Sequence, residues 1–359
     1  MSKFTVPVEQ LSLIAVRLFM GMVYTYEDAE FAADVLVETD RRGVDTHGVA
    51  RLGFYHWCLK TEGMINRCAE LIILRDEPPF LMVDADHGLG LIMTQKAIDL
   101  AVKKAAGHGM CVMGIQNNSH FGAAGYYAAK CAKQGFVALV SSNSNPTMAP
   151  IGGKERIMGN SPWSIAVPGG NKYPEPVMFD MACSEVSRGK CETAQREGKQ
   201  VPLGWGVDSD GVPSTDPAAI LNGGSLMPFG GVKGYCVSLL VEILSSMLTF
   251  ASIGNGTNMG GGHENTGQFV LLMDPARFGS PDVFKDSMDK YVDSIKNTPR
   301  ATGVEEIIVP GELETRAIEN RTKNGIELDG SVAASLAETA LALGLLTEGQ
   351  GFADMLEWS

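Results

Sequence analysis

Apolar runs of strand length alternate with glycine-rich turns in the middle of the chain, and this alternation constrains the fold most. The runs are "CVMGIQN" (111–117), "GFVALVSSN" (135–143), "SIAVPGG" (164–170) and "PVMFDMA" (176–182). Short apolar runs bounded by glycine and proline predict strands, whereas helical patterns occupy both ends of the chain. We therefore predict an α+β protein in which a central sheet domain, residues 73–274, is inserted into a helical domain formed by residues 1–72 and 275–359.

The other predicted elements follow from apolar spacing and from signals at helix ends. Thr25 precedes Asp28 by three residues and Gly43 ends the apolar pattern, which predicts a helix between them. A second helix is predicted over 46–59. The remaining predictions are strands in "LIILRD" (71–76), "PFLMVDA" (79–85) and "QFVLLMDP" (268–275), a loop over 254–267, and helices near 91–106 (ending at Gly107), 122–133, 186–197, 234–251, 281–297, 312–325 and 329–344.

Charge and composition limit the classes of partner. The formal net charge is -13, which argues against a nucleic-acid partner because phosphate binding needs a basic surface. No apolar run approaches the roughly 20 residues of a membrane span, and the N-terminal segment lacks the pattern of a secretory leader. The seven cysteines are scattered without a C-x-x-C pair. We therefore expect free thiols in a reducing compartment, the cytoplasm.

The familiar nucleotide and metal motifs are missing from the sequence. Its glycines fit neither G-x-G-x-x-G after a strand nor G-x-x-x-x-G-K-[ST]. A G-x-S-x-G elbow is absent, and no H-x-x-x-H or C-x-x-C spacing suggests zinc. We expect no bound metal, and a nucleotide would need an architecture other than the Rossmann fold.

Three side chains that are suited to ligand binding or acid–base chemistry recur at a spacing of four residues in the predicted helix 46–59. His47, Arg51 and Tyr55 would share one face of that helix. An arginine fork binds a carboxylate bidentately, and an imidazole can exchange a proton with a nearby hydroxyl. One helix could therefore hold both a carboxylate-binding group and an acid–base group. The alternative is that His47 only begins the helix, Arg51 is a surface charge and Tyr55 fills the core.

Three further positions suggest a ligand. His120 and Gly122 lie where a strand turns into a helix that begins with small residues, which suits a pyrophosphate, although an ordinary strand–helix connection would look the same. Asp180 interrupts an apolar run, where a carboxylate is costly unless it is paired; His47 would be a suitable partner, and a strand-end cap is the alternative. Lys233, between glycines, would reach a phosphate or ribose, or lie solvated in a loop.

Taken together, the motifs resemble one known family. They are T-H-G-x-x-R (46–51), N-S-H-F-G (118–122), G-N-S-P-W (159–163), F-D-M-A (179–182), G-x-K-G-Y (231–235) and V-P-G-E (309–312). Their order is that of the malate/L-lactate dehydrogenase family of non-Rossmann type, which includes ureidoglycolate, sulfolactate and diketogulonate oxidoreductases and piperideine-2-carboxylate reductase. The resemblance extends from about residue 9 to about residue 345, nearly the whole chain.

The resemblance implies roles at matching positions. His47 would be the acid–base residue with Asp180 as its charge-relay partner and Thr46 as an active-site hydroxyl, but some members are described with the histidine equivalent to His120 as proton acceptor. The substrate would contact Arg51, Tyr55 and Asn160. The residues implied to contact the dinucleotide are His120, Phe121, Gly122, Ala123, Ala124, Ser144, Asp180, Met181, Ala182, Lys233, Pro310, Gly311 and Glu312.

The implied activity is reversible hydride transfer between C2 of a 2-hydroxy acid and a nicotinamide cofactor. NAD is favoured over NADP because "SSNSNPTMAP" (141–150) supplies no basic residue for a 2′-phosphate. The alternatives are an imine reductase of the same family and a non-catalytic metabolite-binding protein. The implied architecture is a largely antiparallel cofactor-binding sheet domain (73–274) and a helical substrate and dimerisation domain, in a homodimer.

Overall fold

The elements of the fold are identified in a computed structural model, which describes residues 3–256 and 265–359. Its strands are β1 (Lys3–Val6), β2 (Ile72–Glu77), β3 (Phe80–Asp84), β4 (Met110–Asn118), β5 (Val137–Ser142), β6 (Pro146–Met148), β7 (Met158–Gly159), β8 (Trp163–Val167), β9 (Val177–Met181), β10 (Gly206–Val207), β11 (Pro213–Ser214), β12 (Ser225–Leu226), β13 (Thr266–Met273) and β14 (Ile326–Asp329). Its helices are α1 (Val8–Gly21), α2 (Tyr26–Arg41), α3 (Leu52–Lys60), α4 (Gly90–His108), α5 (Ala124–Lys133), α6 (Arg188–Arg196), α7 (Pro217–Leu221), α8 (Val232–Glu242), α9 (Pro281–Lys296), α10 (Glu312–Asn324), α11 (Gly330–Ala342) and α12 (Phe352–Met355). Part of the loop predicted over 254–267 lies outside the described residues.

A seven-stranded sheet forms the centre, in the order β2-β3-β4-β13-β5-β8-β9. Strands β3 and β4 run parallel, and the other five neighbouring pairs are antiparallel. The α+β class and the largely antiparallel sheet are therefore confirmed. Strand β13 fills the middle position although it follows β9 by more than eighty residues in sequence, with Val270 opposite both Met113 and Val140.

Helices cover both faces of this sheet. Helix α4 packs on β4, and α5 packs on β5 and β8. Helix α8 continues as a π-helical turn, Ile243–Met247, which packs on β13 from the opposite side. The core between these layers contains fully buried apolar side chains, such as Ile115, Val140 and Leu272. In the described part of the chain, no helix is both long enough and apolar enough to cross a bilayer.

A second, five-stranded sheet was not predicted from the sequence. Its order is β11-β10-β12-β6-β7, and its strands have two or three residues each. Strands this short show no measurable alternation of apolar and polar residues. Its own apolar cluster includes Met148, Ile220 and Leu226. The polar loops between the two sheets form one wall of the site described below.

The two ends of the chain meet in one unit. Strand β1 pairs with β14, with Val6 opposite Ile326, and α1 packs on α2 and α11. We did not predict α1, although its buried residues have helical spacing: Leu11, Ile14, Ala15, Leu18 and Phe19. Helix α2 agrees with prediction, and the Asp28 backbone N–H donates to Thr25 Oγ1 at its N-terminus (3.2 Å).

The predicted continuous helix over 46–59 is wrong. The segment forms two 3-10 turns, Asp45–His47 and Val49–Arg51, before α3 begins at Leu52. The break lies at Gly48, because the buried Asp40 carboxylate of α2 occupies the space that a Cβ at Gly48 would need. His47, Arg51 and Tyr55 therefore do not form a stripe on one helix. The predicted end of α4 at Gly107 is also wrong, since that helix continues to the left-handed Gly109 (φ 84).

A substitution at Gly267 of β13 tests how the π-helical turn packs on the sheet. A Cβ at Gly267 would overlap the Ser245 carbonyl oxygen, whereas a Cβ at Gly279 would meet nothing within 4 Å. We expect Gly267→Ala to lower the free energy of unfolding by about 1–3 kcal/mol, because the backbone there cannot yield without moving the helix. Urea denaturation would measure the loss, with Gly279→Ala as the control. Equal stability of the two variants would contradict this packing.

Candidate active site

One cleft of about 410 Å³ is lined by most of the predicted site residues. It lies between the 3-10 turns that follow α2, the loop before α5, and the loops of the second sheet. The predicted residues that line it are Thr46, His47, Arg51, His120, Phe121, Gly122, Ala123, Ala124, Ser144, Asn160, Asp180, Met181 and Ala182. Segments far apart in sequence thus converge on one cavity.

Two histidines stack at one end of the cleft. The rings of His47 and His120 lie 5.8 Å apart between centroids, with an interplanar angle of 18°. Burial, together with the nearby Arg51 charge, lowers the pKa of His47 to about 4. Burial also lowers the pKa of His120 to about 3, with contributions from His47 and Arg51. Both imidazoles are therefore neutral at neutral pH.

The contacts of His120 assign its tautomer. The Gly122 backbone N–H, which can only donate, points at His120 Nδ1 (3.4 Å), so Nδ1 is the acceptor nitrogen. The Tyr55 hydroxyl then donates to the same atom (2.7 Å). The proton of neutral His120 consequently resides on Nε2. Tyr55 itself is 1% exposed and supports His120 from outside the cleft lining.

The hydrogen-bond partner of His47 is a hydroxyl group. Its Nδ1 lies 3.0 Å from Thr46 Oγ1, and a hydroxyl can either donate or accept. The Arg51 Nε donates to the Thr46 backbone oxygen (2.7 Å). Among the described residues, the terminal nitrogens of Arg51 form no hydrogen bond or ion pair, so its fork is available to an anionic group.

A buried carboxylate that the sequence analysis missed holds this segment in place. Asp40 is 2% exposed, and its Oδ2 accepts from the Val49 backbone N–H (2.8 Å). Burial raises the pKa of Asp40 to about 7 in spite of the Val49 hydrogen bond, which favours the ionised form. Arg321 of α10 bonds both the Asp40 backbone oxygen and the Asp45 side chain. An acidic residue four positions after Leu36, on the apolar face of α2, was the available signal.

Asp180 does not pair with His47. Among the described residues, no histidine forms an ion pair with a carboxylate within 4.0 Å. Asp180 instead faces the first turn of α5, where a Cβ at Gly125 would overlap its carboxylate. Burial raises the pKa of Asp180 to about 6, while the Gly125 backbone N–H and the Arg42 charge favour its ionised form. The predicted dyad is therefore absent, because the helix N-terminus already stabilises this carboxylate.

The wall opposite the histidines is polar. Ser144 Oγ donates to Asn160 Oδ1 (2.6 Å). Asn145 Oδ1 and Thr147 Oγ1 are buried, and neither has a hydrogen-bond partner in the part of the chain that the structure describes. Both residues line the cleft. Since buried polar atoms are normally paired, these two fit a polar ligand such as the ribose and phosphate groups of a dinucleotide.

Arg188 is a second cation of the cleft that the sequence analysis did not single out. It lines the cleft from the first turn of α6, and its exposed side chain pairs only along the helix, with Glu192 (2.9 Å), among the described residues. The signal was a basic residue at the start of a predicted helix directly after the Asp180 strand. The described residues contain no group of three or more histidine, cysteine or acidic side chains arranged to hold a metal ion.

The other predicted contacts lie outside the cleft lining. Lys233 is exposed in the first turn of α8. The Pro310 carbonyl accepts from the Met178 backbone N–H at the sheet edge (3.1 Å), and Glu312 forms an ion pair with Lys296 (2.6 Å). A Cβ at Gly311 would press on the Pro176 carbonyl oxygen (2.8 Å). Binding of the dinucleotide by these residues stays a prediction.

Known proteins resemble the chain over nearly its whole length. The model of the malate/L-lactate dehydrogenase family matches residues 6–337. L-sulfolactate dehydrogenase of Methanocaldococcus jannaschii is 39% identical over 325 residues, covering 90% of this chain and 92% of the relative. Malate dehydrogenase of Pyrococcus horikoshii is 35% identical over 350 residues, covering 95% and 96%. NAD(+) ureidoglycolate dehydrogenase of Escherichia coli is 29% identical over 320 residues, covering 88% and 90%.

The fold agrees with these sequence matches. The solved structure of the Methanocaldococcus jannaschii sulfolactate dehydrogenase superposes with a TM-score of 0.88 at 35% identity, and the match covers 98% of this chain and 99% of that one. Sequence and structure therefore agree over the segments that line the cleft and over both terminal segments. The chain belongs to the malate/L-lactate dehydrogenase family.

Proposed function

We propose that this protein is an NAD-dependent dehydrogenase that transfers a hydride between nicotinamide and C2 of a small 2-hydroxy acid of the malate or lactate type. The observation that carries the proposal is the pair of neutral histidines beside an arginine fork that has no partner among the described residues. Those groups can hold a carboxylate and move the hydroxyl proton. The bound nicotinamide supplies or accepts the hydride, and the protein supplies alignment and the proton path.

Within this reaction, His47 is the acid–base residue. Protonation of His47 places a proton on Nδ1 that Thr46 Oγ1 can accept. Protonation of His120 would turn its Nδ1 into a donor, which removes the hydrogen bond from the Gly122 backbone N–H and requires the Tyr55 hydroxyl (2.7 Å) to change from donor to acceptor. His120 is therefore assigned to donate from Nε2 to the substrate oxygen and to stay neutral. Because no contact joins Asp180 to His47 in the described residues, Asp180 is assigned no charge-relay role in this reaction.

Substrate recognition is assigned to cations within the cleft. Arg51 would bind the carboxylate at C1 through its free fork, and Asn160 would hydrogen-bond the same end of the substrate. Arg188 supplies a second positive charge in the same cavity. Two cations favour an acid with a second anionic group, and two of the relatives are named for sulfolactate and malate. We therefore propose a dianionic 2-hydroxy acid.

The cofactor is assigned to the polar wall and the small-residue loop. Phe121 to Ala124 and Asp180 to Ala182 line the same cavity as Ser144, and the unpaired atoms of Asn145 and Thr147 lie there as well. We propose NAD as the cofactor, with NADP as the alternative. Lys233 and the segment 310–312 lie outside the cleft lining, and their contact with the dinucleotide is proposed from the family motifs alone.

We also propose a cytoplasmic homodimer. The free cysteines, buried and exposed alike, suit a reducing compartment. The outward face of α8, of its π-helical continuation and of the turn that follows is apolar, with Leu240 and Leu248 each 54% exposed and Phe250 78% exposed. The inward face is polar, with buried Ser238 and Ser245. Apolar patches of this kind mark protein interfaces, and this helix lacks the basic flank of a membrane-surface helix. A second copy of the chain is the partner proposed for it.

Reduction of 2-oxo acids tests the function. We expect NADH oxidation, followed by absorbance, with oxaloacetate and sulfopyruvate, and a kcat/KM at least about tenfold lower with pyruvate, which lacks the second charge. Arg188→Gln should remove that preference, whereas Arg196→Gln at the far end of α6 should retain it. NADPH would be assayed in parallel. No turnover and no NADH binding would refute the dehydrogenase assignment.

The pH dependence tests the choice of acid–base residue. Oxidation of the hydroxy acid needs neutral His47, so kcat/KM should stay level as the pH falls toward 5 and decline near the depressed pKa of about 4. His47→Gln should lower kcat by about 100-fold or more with unchanged NADH affinity. A decline near pH 6.5, or an active His47→Gln beside an inactive His120→Gln, would contradict the assignment.

Light scattering tests the proposed interface. We expect the wild-type mass to be twice that of one chain and Leu240→Glu to shift the protein to a monomer, because a buried charge at the interface is costly. Leu313→Glu, at a 61% exposed position on α10, serves as the control and should remain dimeric. A monomeric wild type, or a dimeric Leu240→Glu, would refute this interface.

A further inference from the structure

A network of buried polar side chains crosses the three middle strands of the central sheet. Its members are Asn118 of β4, Thr266 and Gln268 of β13, and Ser142 of β5, and none is more than 5% exposed. Buried polar groups need partners, and each of these side chains forms at least two hydrogen bonds. A satisfied network of this kind fixes one arrangement of the elements that it joins.

The hydrogen bonds of Gln268 have one possible direction. The Ser119 backbone N–H, which can only donate, bonds Asn118 Oδ1 (3.0 Å), so the Asn118 amide nitrogen donates to Gln268 Oε1 (2.6 Å). The Gln268 amide nitrogen in turn donates to Ser142 Oγ and Thr266 Oγ1 (3.3 Å each). Both hydroxyls direct their own protons at backbone carbonyls, which can only accept. The Gln268 amide therefore uses its acceptor and its donors together.

On one side, the network fixes the backbone that carries His120. The hydroxyl of Ser119, the residue before His120, donates to the Gly88 carbonyl (2.9 Å). It also accepts from the Gly90 backbone N–H at the start of α4 (2.8 Å), and a Cβ at Gly90 would overlap the His120 carbonyl oxygen. Because the Asn118 side chain bonds the Ser119 N–H, its orientation determines where His120 lies.

The end of β4 is also displaced by a bulge. Between Ile115 and Asn118, β4 has one residue more than the opposite stretch of β13, 266–268. Asn117 within the bulge has a left-handed φ of 50°, which asparagine tolerates better than most residues do. Bulges change the direction of side chains next to functional sites. Since the backbone ladder is interrupted here, the position of the strand end depends on its side-chain contacts.

On the other side, the network fixes the polar wall assigned to the cofactor. Ser142 Oγ donates to the Asn143 carbonyl (2.8 Å), and both residues line the cleft. Asn143 Oδ1 accepts from the Gly267 backbone N–H (2.8 Å), and the polar segment 144–147 follows directly. Gln268 itself lies outside the cleft lining. It thus stands behind both walls and bonds groups that belong to each.

We propose that Gln268 is a positioning residue: by bonding Asn118 on one side and Ser142 on the other, it fixes the separation between His120 and the polar wall. Hydride transfer needs the substrate and the nicotinamide at a defined distance. The inference rests on the proposed function, which assigns a substrate contact to His120 and the cofactor to the polar wall. Gln268 touches neither substrate nor cofactor.

Steady-state kinetics give the first test. Gln268→Met retains the volume and removes the hydrogen bonds, so kcat with a 2-oxo acid should fall about 10- to 100-fold, because small displacements of reacting groups slow hydride transfer. Gln95→Met is the matched control. Gln95 is 1% exposed, bonds Asp99 and Lys130, and lies outside the cleft lining. Its loss should lower the melting temperature in a similar way but leave kcat nearly unchanged.

The isosteric variant Gln268→Glu tests the direction of the hydrogen bonds. An ionised carboxylate has no donor, whereas a protonated carboxyl group again has one donor and one acceptor. Because burial raises the pKa of a carboxyl group, the kcat of this variant relative to wild type should rise as the pH falls from about 9 to about 6. An activity equal to that of wild type at every pH would show that the donors are dispensable and would overturn the proposal.

Hydrogen–deuterium exchange of the unliganded protein gives a test that does not depend on activity. The backbone N–H groups of Ser119 and Gly90 donate to side-chain oxygens of Asn118 and Ser119, so their protection reports whether the His120 backbone is held. Peptides over 118–124 and 141–147, resolved by mass spectrometry, should exchange about tenfold faster in Gln268→Met than in wild type. Gln95→Met should leave the exchange of both peptides unchanged.

The readouts separate failure of this inference from failure of the proposed function. If Gln268→Met alters neither kcat nor exchange, or if Gln95→Met has the same effects, the positioning role is refuted. If His120→Gln is fully active, the proposed substrate contact of His120 is refuted, and exchange still decides whether Gln268 holds the two walls.

Discussion

The buried carboxylate of Asp40 determines the shape of the candidate active site. It accepts from the Val49 backbone N–H and leaves no room for a Cβ at Gly48, where the segment 45–51 divides into two 3-10 turns. These turns direct His47 and Arg51 toward the cleft from separate segments of backbone. This hydrogen bond and the Arg321 charge nearby offset only part of the cost of burying the carboxylate, since the pKa of Asp40 still rises to about 7. A regular helix would have pointed both residues along a single stripe.

Burial next to an arginine then sets the electrostatics of the histidine pair. The rings of His47 and His120 are partly removed from water, and Arg51 disfavours a further positive charge beside them. Both effects keep the imidazoles neutral. An anionic substrate that binds Arg51 would compensate that charge and make protonation of His47 less costly. The proton affinity of the site is thus coupled to substrate binding, as an acid–base role demands.

The groups that stabilise the Asp180 carboxylate could not be predicted from the sequence. The sequence identified a carboxylate in an apolar run that needed a partner, and the structure does provide one. That partner is the N-terminus of α5 at Gly125, together with the charge of Arg42, and not His47. Pairing across space depends on which elements pack together, and a single sequence gives no distances. The sequence could not identify Arg188 as a cleft residue for the same reason. Its position at the cleft depends on how α6 lies beside the second sheet.

By itself, the sequence determined the α+β class, the long strands and amphipathic helices, and which segments carry polar or ionisable residues, since periodicity and end signals are local properties of the chain. It also determined the family, through motifs that stand in a fixed order. Only the tertiary structure decided the middle position of β13, the two-residue strands of the second sheet, the break at Gly48 and the tautomer of His120. Each of these depends on contacts between residues that are distant in sequence, where packing and hydrogen bonding override local preference.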